Sequence, residues 1–251
     1  MTGWVRVVGI GPGGSSWITP EVRAVLDAAT DVVGYHGYLE RLTFTEAQTV
    51  HASGNGDELQ RARAALELAR HGARVAVVSG GDPGVFAMGA AVFEAIEHGP
   101  RECLSLDVAV LPGITALLAA AARLGAPLGA DFCAINLSDN LKPWSLISER
   151  LVLSARAGFV IALYNPASRA RPRQIHEAFA LLRRELPAET LVAFAAAIGR
   201  ADEAVVVSRL SEADPALADM RTLVIVGTNA TRRIERPSGA CWLYTPRRTS
   251  A

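Results

Sequence analysis

Three short stretches of this 251-residue sequence combine residue types suited to gripping a small ligand. Gly9-Ile-Gly-Pro-Gly-Gly14 follows the β-branched run Val5 to Val8, Gly80-Gly-Asp-Pro-Gly84 follows Arg74 to Ser79, and Pro112-Gly-Ile-Thr-Ala116 follows Leu106 to Leu111. Glycine lets a backbone come close to a ligand, and proline fixes one φ angle. Asp82 adds a carboxylate and Thr115 a hydroxyl. In an open parallel sheet such turns lie beyond the carboxyl ends of strands, where ligands bind. Each turn by itself also fits a purely structural role, because Asp-Pro-Gly is a common turn. Gly9, Gly11 and Gly14 match the GxGxxG dinucleotide pattern, but the context argues against a nicotinamide site. Pro12 lacks an amide, Ser15 to Ile18 separate the glycines from the helix cap at Thr19, and no acidic residue ends the second strand at Tyr35.

The elements that must carry these turns alternate. Thr19 is a good N-cap with Pro20 at the first helical position, and Val22, Val25, Leu26 and Ala29 form an apolar stripe. Asp31 to Tyr35 predicts a second strand and His51 to Gly56 a loop. Asp57 caps a helix that Gly72 ends, Arg74 to Ser79 is a strand, Val85 to His98 a helix, and Leu106 to Leu111 another strand. This alternation predicts an N-terminal α/β domain over residues 1–112, a mainly parallel open sheet with helices on both faces. A helix from Ile114 to Leu124 opens a second α/β domain, residues 113–240. There, strands near Phe132–Asn136, Phe159–Tyr164, Leu191–Phe194, Ala204–Ser208 and Thr222–Val226 surround only two clear helices, Pro143–Arg156 and Arg173–Glu185. Short connections among the later strands predict a mixed sheet. Residues 241–251 read as a C-terminal tail with little periodicity.

Composition narrows the partners. The 25 Lys and Arg balance the 25 Asp and Glu, so no general field attracts nucleic acid or an anionic membrane. All but one of the basic residues are Arg, the exception being Lys142. Three scattered cysteines form no CxxC pair, so neither a disulfide framework nor a metal site is expected. Apolar runs stop well short of the ~18 residues of a membrane span, and Arg6 and Gly9 interrupt any secretory h-region. The expectation is a soluble, cytoplasmic protein with a small-molecule partner, no nucleic acid and no membrane.

Taken in order, Val8-Gly-Ile-Gly-Pro-Gly13, Ser79-Gly-Gly-Asp-Pro-Gly-Val-Phe86, Leu111-Pro-Gly-Ile-Thr-Ala116 and Thr222-Leu-Val-Ile-Val-Gly227 resemble the tetrapyrrole (corrin/porphyrin) methylases, over roughly residues 3 to 235. Within that family, Val33-Gly-Tyr-His-Gly-Tyr-Leu39, Asp131-Phe-Cys-Ala-Ile-Asn-Leu-Ser-Asp139 with Lys142-Pro-Trp144, and Ala162-Leu-Tyr-Asn-Pro-Ala-Ser-Arg169 resemble the precorrin-3B C(17)-methyltransferase branch of cobalamin biosynthesis. The branch usually carries a longer hydrophilic residue where His36 stands. Some members have an iron–sulfur extension, which is not carried over.

The resemblance implies a two-domain fold with S-adenosyl-L-methionine in the cleft, leaving as S-adenosyl-L-homocysteine. Pro12, Gly80, Gly81, Asp82, Val85, Phe86, Thr115 and Ala116 would meet the donor from the first domain. Tyr164, Asn165, Ala196, Ala197 and Thr228 would meet it from the second. The implied reaction is methylation of carbon 17 with ring contraction to precorrin-4, for which His36, Asp82, Ser138 and Asp139 are the acid–base candidates. A polycarboxylate substrate suits Lys142, Arg169, Arg171 and Arg173, with Arg41 nearby in type, as clamps. Tyr35, Tyr38 and Trp144 would line the macrocycle. The resemblance further implies a homodimer, with substrate channelling to neighbouring pathway enzymes. Alternatives are another tetrapyrrole methylase, such as a cobalt-factor III C(17)-methyltransferase, and a non-catalytic tetrapyrrole carrier.

Overall fold

The computed structural model describes residues 3–54 and 56–248. The chain divides into two compact units, residues 1–116 and 117–251.

In the first unit the order is β1 (Trp4–Gly9), α1 (Pro20–Ala28), β2 (Asp31–Tyr35), α2 (His36–Leu39), β3 (Thr49–Ser53), α3 (Glu58–Arg70), β4 (Arg74–Ser79), α4 (Met88–Glu97) and β5 (Asp107–Leu111). The five strands form one sheet in the order β3-β2-β4-β1-β5, and every pairing is parallel. Alternation along the strands divides the core. Val5, Val7, Val33, Val75 and Val77 pack with α3 and α4 on one face. Val8, Val32, Ala76 and Val78 pack with Val22 and Leu26 of α1 on the other. Because all strands run the same way, the turns after β1, β4 and β5 share one edge of the sheet.

Several boundaries differ from the sequence reading. The Thr19 hydroxyl accepts from the Val22 amide at 3.2 Å as expected, whereas Asp57 makes no side-chain cap. Strand β3 lies partly where a loop is predicted. It is an edge strand whose two apolar residues, Val50 and Ala52, stay exposed, held by its ladder to β2 and by a 2.8 Å contact of His51 with Asp31. Helix α4 starts at Met88 rather than Val85, because Phe86 has φ 53° and cannot belong to a right-handed helix.

The second unit contains α5 (Ala116–Leu124, its first residue counted with the first unit), β6 (Gly125–Ala126), β7 (Phe132–Asn136), α6 (Trp144–Arg156), β8 (Val160–Tyr164), α7 (Gln174–Glu185), β9 (Leu191–Ala196), β10 (Ala204–Arg209), β11 (Thr222–Val226), β12 (Arg232–Glu235) and β13 (Cys241–Tyr244). Its main sheet has the order β10-β9-β11-β8-β7. Strands β7 and β8 are parallel and the other pairs antiparallel, which makes the sheet mixed. Phe179 and Phe194 stack at 5.8 Å in its core, which also takes in Leu151, Ile161, Leu163 and Val224.

Part of the expected tail is a strand. Residue Cys241 begins β13, which pairs antiparallel with β12 and parallel with β6; residues 249–251 lie outside the described residues. A buried hydroxyl chain fastens this small sheet. Thr245 Oγ1 donates to the Pro127 carbonyl at 2.6 Å, so the 2.9 Å contact between Thr231 Oγ1 and Thr245 Oγ1 has Thr231 as donor. Thr231 in turn accepts from the Thr228 amide at 2.8 Å. Thr245→Val, of similar shape, strands the Pro127 carbonyl and the Thr231 proton. The expected loss is about 1–3 kcal/mol of stability, read as a lower thermal midpoint.

No helix among the described residues is long and apolar enough to cross a membrane. Among the same residues, no cluster of three or more His, Cys, Asp or Glu side chains is arranged to hold a metal.

Candidate functional site

In the first unit the three glycine turns lock together. Gly11 and Gly81 exchange backbone hydrogen bonds at 3.1 Å in both directions. A Cβ on Gly9 would lie 2.6 Å from the Gly81 carbonyl and 2.7 Å from the Gly113 amide. These contacts require glycine at the crossing of the turns after β1, β4 and β5. Gly14, by contrast, has open space around it, so the third glycine of the apparent fingerprint has no steric role in the crossing.

Asp82 ties two of the turns. One carboxylate oxygen accepts from the Gly84 amide at 2.8 Å, and the other accepts from the Gly113 amide at 3.0 Å. Both oxygens are therefore spent on backbone, a disposition suited to holding geometry rather than carrying protons. Gly81, at φ 64°, has only Thr115 Cα and the Ala116 and Ile114 backbone near its open side, none closer than 3.8 Å to an added Cβ. The result is a backbone-lined cradle bordered by Gly81, the buried Thr115, Ala116 and the half-buried Pro12 and Val85. Such a cradle offers backbone amides and carbonyls at close range to a small ligand.

Arg41, expected among the clamps, instead gathers the loop after β1. Its guanidinium donates to the Gly11 carbonyl at 2.9 Å and to the Gly13 carbonyl. The residues following β2 also approach this edge. The Tyr38 ring covers Gly80, where an added Cβ would come within 2.7 Å of it. Tyr38 meets Tyr35 edge to face at 5.2 Å. His36 is exposed and its ring lies 4.3 Å from that of Tyr35. Asp82 and Asp139 accept hydrogen bonds from the protein at their carboxylates, which leaves His36 as the ionisable acid–base candidate without a side-chain hydrogen bond among the described residues.

In the second unit, Asn136, Tyr164 and Ala196 close strands β7, β8 and β9, and parallel direction brings these ends to one edge. Asn165 Nδ2 donates to Asn136 Oδ1 at 3.1 Å, and the same oxygen accepts from the Ser138 amide at 2.9 Å. Tyr164 accepts at its hydroxyl from the Leu117 amide at 3.0 Å. Asp139 accepts from Gln174 at 2.9 Å. Asn136, absent from the sequence candidates, is thus the hub of this edge; its position at a strand end next to Ser138 was the available signal.

Thr228 lies elsewhere. Register places Thr222 opposite Ala196 and Val226 opposite Val192, so Thr228 projects past the opposite edge of the sheet, about 20 Å from the Thr222 row at 3.3 Å per residue. Its hydroxyl accepts from the Ala230 amide at 3.1 Å, a turn contact, and the structure does not bring it to Asn165 or Ala197. Trp144 is half-buried against the core rather than displayed as a flat face. Burial, then the nearby Arg150 guanidinium, lowers the Lys142 pKa from its ordinary value. Arg169 and Arg173 are exposed, whereas Arg171 is only 9% exposed.

The backbone adds an independent signal. Among the described residues three non-glycine positions have positive φ, namely Phe86 (53°), Asn165 (50°) and Ala197 (50°). Such conformations cost of order 1–3 kcal/mol and gather at ligand clamps. All three coincide with positions that the family resemblance implies for the donor.

Comparison with known proteins identifies the family. The family model described as Tetrapyrrole (Corrin/Porphyrin) Methylases matches residues 5–214. A Sinorhizobium protein named precorrin-3B C(17)-methyltransferase is 56% identical over 247 residues, covering 98% of this chain and 97% of that protein. The chain is 46% identical to the cobalamin biosynthesis protein CobIJ of Mycobacterium bovis, of which it covers 49%. The crystal structure of the methyltransferase CobJ superposes with TM-score 0.93 at 51% identity, covering 97% of this chain and all of that one.

Proposed function

The chain belongs to the tetrapyrrole (corrin/porphyrin) methylase family and is a methyltransferase that uses S-adenosyl-L-methionine, and on that premise we propose that it methylates precorrin-3B at carbon 17 and contracts the ring to precorrin-4 in cobalamin biosynthesis. The observation that carries this reading is the left-handed backbone at Phe86, Asn165 and Ala197, at positions the family resemblance implies for the donor, in a chain 56% identical to a precorrin-3B C(17)-methyltransferase over 97% of that protein. The reading takes the protein to work as a cytoplasmic homodimer handing its product to a neighbouring enzyme.

The bound donor supplies a methyl group on a sulfonium, an already activated leaving group. What remains for the protein is placement, which contributes on the order of 7 to 11 kcal/mol at best when reacting atoms are held in line. In this reading the crossed turns at Gly9, Gly81 and Gly113 hold the donor by backbone, and Pro12, Gly80, Val85, Phe86, Thr115 and Ala116 border it. Tyr164, Asn165, Ala196 and Ala197 belong to the same proposal. Tyr35 and Tyr38 supply an aromatic surface for the macrocycle, and His36 is assigned to proton transfer from the tertiary hydroxyl that initiates contraction. Asp82, Ser138 and Asp139 are assigned to holding loops, since Asp82 and Asp139 already accept hydrogen bonds from the protein and the Ser138 amide is fixed by Asn136.

A Salmonella typhimurium relative named as a probable cobalt-factor III C(17)-methyltransferase is 42% identical over 228 residues, so the metal state of the substrate is part of the test. Purified protein, S-adenosyl-L-methionine and precorrin-3B are expected to give a product one methyl group heavier, over many turnovers. No mass gain with metal-free substrate, or a gain only with cobalt-loaded substrate, overturns the assignment. A single equivalent retained without turnover identifies a carrier.

A further inference from the structure

Arg171 is a buried cation without an anion. Its guanidinium reaches the Asn165 carbonyl at 3.4 Å and the Met220 sulfur at 3.7 Å, both long contacts, and no carboxylate among the described residues lies within ion-pairing distance of it. A guanidinium keeps its charge and has five N–H donors, so two long neutral contacts leave most of its hydrogen-bonding capacity for another group. Burying such a charge is costly unless an anion completes it.

Met220 is also a wall of an open cavity of about 380 Å³ in the second unit. Ile175 and Pro215 give the cavity an apolar floor, and Arg169 and His176 stand on its rim. Asp219 is on the rim too, but its charge is engaged. Its Oδ1 accepts from the Arg221 amide at 2.8 Å and the Thr222 hydroxyl at 2.7 Å, and its Oδ2 lies 3.7 Å from Arg221 Nε. The volume is at the low end of ligand pockets, which run from roughly 300 to 1,000 Å³, room for a substituted pyrrole ring rather than a whole macrocycle. Ser168 and Ala167 on the same wall connect it to the Asn165 turn.

We propose that this cavity binds one carboxylate-bearing pyrrole ring of the tetrapyrrole, the ring lying on Ile175 and Pro215 and its carboxylate neutralised by Arg169 at the rim and Arg171 beneath. This rests on the tetrapyrrole reading above and adds the subsite. A rim charge draws the carboxylate in, and the buried one makes the bound state specific for an acid over an ester or amide.

Two exposed positions allow a test without disturbing the core. Ala216→Trp fills the cavity from its rim and Arg169→Gln removes the outer charge. Arg171→Met and the conservative Arg171→Lys probe the inner one. With precorrin-3B as substrate, Ala216→Trp and Arg169→Gln are expected to raise its KM about tenfold or more with kcat within about twofold. S-adenosyl-L-homocysteine affinity by calorimetry stays at the wild-type value, and Arg171→Lys recovers part of the KM lost in Arg171→Met. Unchanged KM in both Ala216→Trp and Arg169→Gln overturns the subsite, as does an equal loss of donor affinity. If the wild-type protein binds donor but transfers no methyl to precorrin-3B, the reaction assignment fails separately. The subsite then stands or falls on uroporphyrin III, whose fluorescence the wild type should quench and Ala216→Trp should not, with the octamethyl ester inert to both.

Discussion

Gly113→Ala is expected to lower kcat/KM about a hundredfold while Gly14→Ala leaves it unchanged. An added Cβ at 113 would sit 2.2 Å from the Gly81 carbonyl oxygen and 2.7 Å from the Gly9 carbonyl carbon and oxygen. All three are backbone atoms at strand ends, so no side chain can rotate away. Reaching an ordinary contact requires about 1 Å of separation between the turns, and a displacement of that size at a reacting centre can cost about a hundredfold. Overpacking adds a stability loss of roughly 1–3 kcal/mol. At Gly14 the φ is −75° and no atom lies within 4 Å of a built Cβ. Calorimetric titration with S-adenosyl-L-homocysteine, with a thermal melt of each variant, checks both sides. Wild-type affinity in folded Gly113→Ala would show that the crossing of the turns is not what holds the donor.

This contrast also shows what the sequence could and could not disclose. Alternating strands and helices up to Pro112 carried enough periodicity to place β1, β2, β4 and β5 and their shared edge, and with them all three glycine turns. Strand β3 was missed because its apolar residues, Val50 and Ala52, are only two and remain exposed, so no buried face reveals it and its order comes from the ladder to β2. Strands β12 and β13 were missed for a similar reason, since Arg232, Arg233 and Glu235 read as solvated chain and the fastening threonines are far apart in sequence. The left-handed residues were legible as motif positions but not as conformations, because Phe86 and Ala197 have no local preference for positive φ. Only tertiary packing imposes it.

The arginine excess acquires a physical content that composition alone left open. Arg41 holds carbonyls of the loop after β1. Buried Arg61 holds the Gly54 carbonyl, the Ser53 hydroxyl and the Met88 sulfur. Arg183 holds the carbonyls of Leu210 and Ala213. A planar fork of donors suits several carbonyls at once in a way an ammonium does not. These three arginines order loops, whereas Arg171, buried and with only two long neutral contacts at its guanidinium, has surroundings that call for an outside anion.

For Asp82 the two plausible roles separate in a measurement. If its carboxylate pins the turns, Asp82→Ala leaves the Gly84 and Gly113 amides without their acceptor, and a hydrogen bond to a charged group is worth about 1.5–3 kcal/mol. Donor affinity is then expected to fall by about ten- to a hundredfold, with kcat at saturating donor largely recovered. Asp82→Asn keeps one carbonyl oxygen as acceptor but turns an NH₂ group toward the other amide, donor against donor, so its loss falls between wild type and alanine. A general base behaves in the opposite way. Its removal spares donor affinity, collapses kcat at saturation and makes asparagine as harmful as alanine. The bonds of 2.8 and 3.0 Å to two backbone amides favour the pin, and calorimetry beside saturation kinetics on the two variants decides it. A preserved donor Kd with a lost kcat would return Asp82 to proton transfer and remove His36 as the sole acid–base group of the proposal.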